Sequence, residues 1–184
     1  MKVEPIRRTE DIERIKKLLC GNLRDKLLFI LGINSGLRIG DLLKLRVKDL
    51  INLRVGDTLQ IKEQKTGKDN VLMVNKSIYK VFNEYKEKIN PDPEDFLFYS
   101  RKGSNHLRVE TVNRMVKSWC ETIGLSGNYG CHSLRKTFGY IQRSVFGTSS
   151  ELICRRYNHS SPSITMRYLG ITSKEIEGVL LRDI

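Results

Sequence analysis

"DTLQIKEQKTGKDNVLMVN", residues 57–75, interrupts a chain patterned mainly for helix. Leu59 and Ile61 alternate with polar residues, the period of a half-buried strand. "NVLMVN" reads as a second short strand, and "KTGKD" between them supplies a glycine turn. The stretch is therefore a β-hairpin with a lysine-rich tip. Outward from it, helical spacing returns on both sides. Upstream, "TEDIERIKKLLCG" sets Ile12, Ile15, Leu18 and Leu19 on a helix, with Thr9 as cap and Gly21 as stop. "RDKLLFILGINSG" is a more buried helix that Gly36 can end in a left-handed conformation. "IGDLLKL" starts a third after a tight connection through Leu37 and Arg38. Downstream, helices are expected in "KSIYKVFNEYKEKIN", "RVETVNRMVKSWCETIG", "HSLRKTFGYIQRSVFG" and "SSELICRRYN", with "FLFYS" as a short extended piece. The predicted class is mainly α with one small antiparallel hairpin, α+β. Strand and helix do not alternate, which argues against a parallel doubly wound sheet. No glycine-rich phosphate loop is present, which argues against a nucleotide hydrolase.

A chain of 184 residues is most simply one domain, 1–184, and is long enough for a real core. With 39% hydrophobic and 29% charged residues it reads as globular rather than disordered. Lys and Arg number 33 against 21 Asp and Glu, a net charge of +12. Such an excess favours an anionic partner, nucleic acid first and an anionic membrane surface second. "MKVEPIRRTEDIERIKK" has no apolar core of a signal peptide, and no apolar run approaches the roughly 20 residues of a membrane span. Cys20, Cys120, Cys131 and Cys154 form no C-x-x-C pair and read as reduced thiols of a cytoplasmic protein.

Few residues can carry chemistry. His132 and Arg135 in "HSLRK" fall three apart, on one face in the first helical turn, where backbone N–H groups favour an anion. Arginine offers a planar fork of donors to a phosphate and histidine a titratable one. Alone, the pair reads as readily as an ordinary surface pair. Arg38 sits on a tight connection, with Asp41 three residues on as an orienting partner. Lys65 lies at the hairpin turn and can deliver a proton, with Lys62 and Lys68 as equal rivals. In "NHSSPSITMRYLG", residues 158–170, His159 and Tyr168 would face opposite ways on one continuous helix. Pro162, behind a Ser161 cap, fits a first helical position, so His159 falls in a connector and Tyr168 near the end of a new helix. A tyrosine can be a nucleophile where nearby cations favour its phenolate, and Tyr157 is the neighbouring rival. Cys131, His132, Cys154 and His159 are zinc-ligand types but lack the close spacing of zinc modules. The acidic residues are too dispersed for a two-metal nuclease.

Taken in order, Arg38, Lys65, His132-x-x-Arg135, His159 and Tyr168 resemble the catalytic set of the tyrosine recombinases, the phage integrase family. "SGLRIGDLLKLRVKDL" is similar to that family's first arginine motif, and "EQKTGKDNVLMV" to its lysine-bearing hairpin, which selects Lys65. "HSLRKTF" is similar to the second motif and "NHSSPSITMRYLG" to the last, with Asn158 where glycine is common. The resemblance runs from about Arg7 to the end of the chain. It implies the catalytic-domain fold of that family and a site-specific recombinase acting on double-stranded DNA. Tyr168 would join to a 3′ phosphate, Arg38, Arg135 and His132 would hold the phosphate oxygens, and Lys65 would be the general acid. His159 would support the phosphate or the tyrosine, and Asp41 would orient its neighbours. No metal or other cofactor is implied. The family's N-terminal DNA-binding domain is expected to be absent. A tetramer on DNA is expected, with the amphipathic segment 174–184 exchanged between protomers or folded back. A cytoplasmic protein encoded by a bacterium, phage or mobile element follows. The alternatives are a non-enzymatic DNA-binding relic and a relaxing enzyme like the type IB topoisomerases.

Overall fold

Leu27, Leu28, Phe29, Ile30 and Leu31 are all buried, which makes α2 (Leu23–Ser35) the axis of the fold. The computed structural model describes residues 3–100, 105–169 and 180–181. Burying each Leu or Ile contributes about 1.5–3 kcal/mol, well above the tenths that separate helix propensities, so packing holds α2. Asn22 caps its start by accepting from the Asp25 N–H, and Gly36 ends it at φ 64°, as its position predicted. α1 (Thr9–Leu18) precedes it. Thr9 is the first helical residue of α1, and the cap position falls to Arg8, which makes no side-chain capping bond. α3 (Ile39–Leu42) follows Gly36 at once.

The hairpin pairs β1 (Thr58–Lys62) with β2 (Asp69–Met73), Leu59 opposite Leu72 and Lys62 opposite Asp69. Leu72 is buried and Leu59 and Ile61 are half-buried, the alternation read from the sequence. After it come α4 (Lys76–Ile89), α5 (Val109–Thr122) and α6 (Cys131–Ser144). Phe96 and Tyr99 each make a single extended bridge, to Arg46 and His106. α2 packs against α4 and α6, and α5 against α6. At the crossing of α2 and α6 a Cβ on Gly32 would stand 2.6 Å from Leu134 Cδ1, so only glycine admits this approach.

α7 (Ser150–Arg156) and α8 (Pro162–Leu169) complete the described elements. Ile153, Tyr157 and Leu169 form a second, smaller apolar cluster, with Phe138 of α6 and Tyr168 packed on it. The Tyr168 segment thus rests on a satellite core and not on the main one. The helix expected at 174–184 lies outside the described residues except for exposed Leu180 and Leu181. Among the described residues no helix is long and apolar enough to cross a membrane.

Candidate active site

Arg38 leaves the Gly36 turn in extended conformation as the cap residue of α3. Its Nη1 lies 2.5 Å from Glu63 Oε2. Glu63 is fully buried just past the end of β1. It also accepts hydrogen bonds from Thr66 Oγ1 at 2.5 Å and Asn70 Nδ2 at 2.7 Å. Burial alone would raise its pKa. Thr66, Asn70 and Arg38 outweigh that and pull it down to about 2, so the carboxylate stays charged. Asp41, read as the partner of Arg38, instead accepts from the Gln64 backbone N–H at 3.0 Å and docks the hairpin onto α3. The carboxylate paired with Arg38 is one that sequence reasoning missed. Its signal was there: after Leu59 and Ile61, the period of two puts Glu63 on the inward face.

Lys65 is exposed on the loop that joins β1 to β2. Its charge nevertheless reaches His132 on α6 and lowers that histidine's pKa. α6 starts at Cys131, so His132 is its second residue and exposed, while Arg135 is its fifth and buried. Only His132 lies in the first turn. The Arg135 guanidinium is oriented from another element: Nη2 donates to the Tyr157 carbonyl at 2.9 Å, and the group lies 4.5 Å from the Tyr157 ring centre. Its Nη1 is buried with no hydrogen-bond partner among the described residues.

Asn158 adopts φ 54°, the left-handed conformation in which glycine and asparagine are at ease. The chain turns there, and Pro162 starts α8 afresh. This break brings His159 and Tyr168 together, with ring centres 5.4 Å apart at 73°. His159 Nδ1 is 2.9 Å from Thr165 Oγ1, which fixes the ring and leaves Nε2 without a protein partner among the described residues. The Tyr168 hydroxyl is buried and likewise has none. Tyr157, the rival, is fully buried, and its hydroxyl donates to the Arg135 carbonyl at 2.5 Å. It is a platform under Arg135, His159 and Tyr168, not a free nucleophile. Lys136, also missed, is buried with Nζ 5.0 Å from the Tyr168 ring centre and 2.9 Å from the Val3 carbonyl.

The titrations follow from burial first and from this crowding of cations second. Burial, then Arg135, Lys65, Lys136 and Arg38, lowers the His132 pKa, although its ring reaches solvent. Burial, then Arg135 and Arg38, lowers His159 to about 4. Burial raises Tyr168, against the pull of Arg135 and Arg38. At neutral pH the site therefore holds two neutral histidines, a protonated tyrosine and a ring of fixed cations, a setting for one anionic phosphodiester. Among the described residues no three His, Cys, Asp or Glu side chains are grouped to hold a metal. A separate cleft lined by Arg46, Tyr85, Ile89, Pro91, Phe96 and Tyr99 contains none of these groups.

A model of the phage integrase family matches residues 8–175. The chain belongs to that family. This phage integrase family protein is, by membership, a site-specific recombinase of the tyrosine type. It is 41% identical over 170 residues to the probable integrase/recombinase YoeC of Bacillus subtilis, covering 92% of this chain and 90% of that protein. It is 30% identical over 173 residues to the tyrosine recombinase XerA of Pyrococcus horikoshii, covering 91% of this chain but 58% of that one. The crystal structure of XerA recombinase superposes with a TM-score of 0.77 at 19% identity, over 98% of this chain and 67% of that chain. XerH bound to a palindromic difH substrate after cleavage gives 0.77 at 22%, over 98% and 53%. A lambda integrase tetramer on a Holliday junction gives 0.66 at 17%, over 90% and 48%. These likenesses carry the fold, mostly helical with a two-stranded antiparallel sheet.

Proposed function

We propose that the chain cuts and rejoins double-stranded DNA at a specific site, with Tyr168 as nucleophile and a 3′-phosphotyrosine as intermediate. The observation that carries this reading is the buried Tyr168 hydroxyl, without a hydrogen-bond partner among the described residues, in a site whose Arg135 Nη1 is also buried and without one among them. The Tyr168 oxygen forms the bond to phosphorus as the bond to the 5′ oxygen breaks. Arg38, Arg135 and His132 hold the non-bridging oxygens as charge builds. Lys65 gives the leaving oxygen its proton, released as a 5′ hydroxyl. The Tyr168 proton leaves toward neutral His159, whose Nε2 accepts in the tautomer that donates Nδ1–H to Thr165 Oγ1. Asp41 keeps the hairpin, and so Lys65, on α3. Attack by a partner strand's 5′ hydroxyl on the phosphotyrosine reverses these steps and completes exchange, with no nucleotide consumed. The DNA complexes among the structural neighbours, one a tetramer, support four copies acting on two duplexes, with segment 174–184 reaching a neighbouring protomer. The working compartment is the bacterial cytoplasm, and the gene belongs to a bacterium, phage or mobile element.

The test uses short nicked duplexes of randomised sequence, from which a cut strand diffuses away and traps the intermediate. The wild-type chain gives a covalent protein–DNA adduct on a denaturing gel, and Tyr168→Phe gives none. Absence of adduct with the wild type, or an adduct that survives the substitution, overturns the reading. Relaxation of supercoiled plasmid regardless of sequence would mark a topoisomerase instead.

A further inference from the structure

Glu63 does more than balance one arginine. Its carboxylate meets Arg38 Nη1 and Thr66 Oγ1, each at 2.5 Å, and Asn70 Nδ2 at 2.7 Å. Its backbone closes the same loop, the N–H donating to Lys68 O at 2.9 Å and the carbonyl accepting from Gly67 N at 2.8 Å. Lys65 sits between these ties. Beyond Asn70 the network continues, because Asn70 Oδ1 accepts from Arg156 Nη1. Arg156 also donates to the carbonyls of Ser35 and Val71. The next residue is Tyr157, whose carbonyl holds Arg135. One connected chain of polar contacts thus runs from Arg38 past the Lys65 loop to Arg135.

We infer that Glu63 is a positioning residue that holds Arg38 and the Lys65 loop in one register, and that Asn70 and Arg156 tie both to the Arg135 side of the site. A carboxylate kept only to neutralise Arg38 has no need of Thr66, which is exposed and belongs to the loop. A fully buried charge left with a missing partner is strongly unfavourable, so each of the three contacts resists loosening. The consequence is that the phosphate clamp and the general acid move together.

This inference rests on the proposed recombinase chemistry, and the leaving group separates it from a purely structural role. In a duplex with sulfur in place of the bridging 5′ oxygen, a thiolate departs without needing a proton. Loss of the general acid therefore slows the oxygen substrate and spares the sulfur one. Thr66→Val, which cuts the tie to Glu63 and the bond from the Lys68 N–H within the same loop but leaves Arg38 paired, is expected to slow adduct formation on oxygen and to leave sulfur unchanged. Glu63→Gln, which also releases Arg38, is expected to slow oxygen by about 10- to 100-fold, the range for a group that orients a catalytic side chain. On sulfur it should lose less, because only the Arg38 part remains. Wild-type rates for both variants, or equal losses on both substrates, overturn the inference. A wild-type chain that forms no adduct on either substrate overturns the recombinase reading and this inference with it.

Discussion

Gly139→Ala tests how tightly the Tyr168 segment is seated. Gly139 lies in α6, under the satellite cluster. A Cβ there would fall on the Tyr157 hydroxyl, 3.0 Å from Tyr157 Cζ and 2.6 Å from Leu169 Cδ2. Neither neighbour yields easily. Tyr157 is fully buried and its hydroxyl is held by the Arg135 carbonyl at 2.5 Å. Leu169, 2% exposed, follows Tyr168 directly. Overpacking a core costs about 1–3 kcal/mol, and three close approaches to stiff groups place this site at the upper end. Alanine in place of glycine returns about 1 kcal/mol of helix propensity, so the clash wins and the net loss is about 2 kcal/mol. For a domain of this size that lowers Tm by roughly 4–8 °C, read by circular dichroism. Tyr157→Phe removes the atom in closest conflict, at a cost of about 1 kcal/mol for its hydrogen bond. The two changes should therefore couple, the double variant being more stable than the sum of the single losses. A Gly139→Ala chain as stable as the wild type, or strict additivity with Tyr157→Phe, would refute the packing argument. The same variant should form less adduct, because Leu169 and Tyr157 can move only with Tyr168.

Gly36→Ala meets two penalties: about 1–2 kcal/mol for a side chain in the left-handed region, and about 1–3 kcal/mol for a Cβ pressed on a neighbouring ring. Gly36 has φ 64° and a Cβ built there would stand 2.6 Å from Phe138 Cδ1, so the urea midpoint should fall clearly; an unchanged midpoint would sink the reading of the α2 stop. Acid should destabilise the protein in two windows. His159, lowered to about 4 from 6.5, takes a proton more readily when unfolded, so its contribution is whole above pH 6.5 and is lost as pH falls toward 4, with His132 acting in the same direction. Glu63, lowered to about 2 from 4.5, contributes fully above pH 4.5 and fades toward pH 2. His159→Gln should flatten only the upper window and Glu63→Gln only the lower; stability profiles unchanged by either would contradict the pairing described. DNA binding should weaken log-linearly with salt, and Lys65→Ala should make the slope shallower by about 1, as for a phosphate contact, whereas an identical slope would remove Lys65 from the interface.

What was legible in the sequence was local. The hairpin followed from a period of two and a glycine turn. The end of α2 followed from Gly36, and the break between His159 and Tyr168 from Pro162. Each depends on residues within one turn or strand. Helix starts slipped by a residue, which moved Arg135 out of the first turn of α6 and the cap of α1 from Thr9 to Arg8. The partners of the charged groups were not legible, because they come from distant parts of the chain. Lys136 reaches Val3, Arg156 reaches Ser35 and Asn70, and Arg38 pairs with Glu63 rather than with the nearer Asp41. Spacing along one helix favours an i, i+3 partner. The fold overrides it by giving Asp41 a backbone N–H to hold and sending a strand-end carboxylate to the arginine.

The electrostatics of the free site also bear on when the chemistry starts. Four fixed cations, Arg38, Arg135, Lys65 and Lys136, act on His132, and two of them act on His159. Burial depresses both histidines first and these cations add to it, so both rings are neutral, and Tyr168 keeps its proton because burial outweighs the arginines. A bound phosphodiester brings a negative charge against those same cations. It cancels part of the field that depresses the histidines, so their pKa values rise and His159 becomes a better acceptor for the tyrosine proton. The same charge tightens the hold of Arg135 Nη1, which has no partner in the free protein among the described residues. The same charge also offsets the pull of Arg135 and Arg38 on Tyr168, so the phosphate makes His159 a better acceptor without making Tyr168 a better acid.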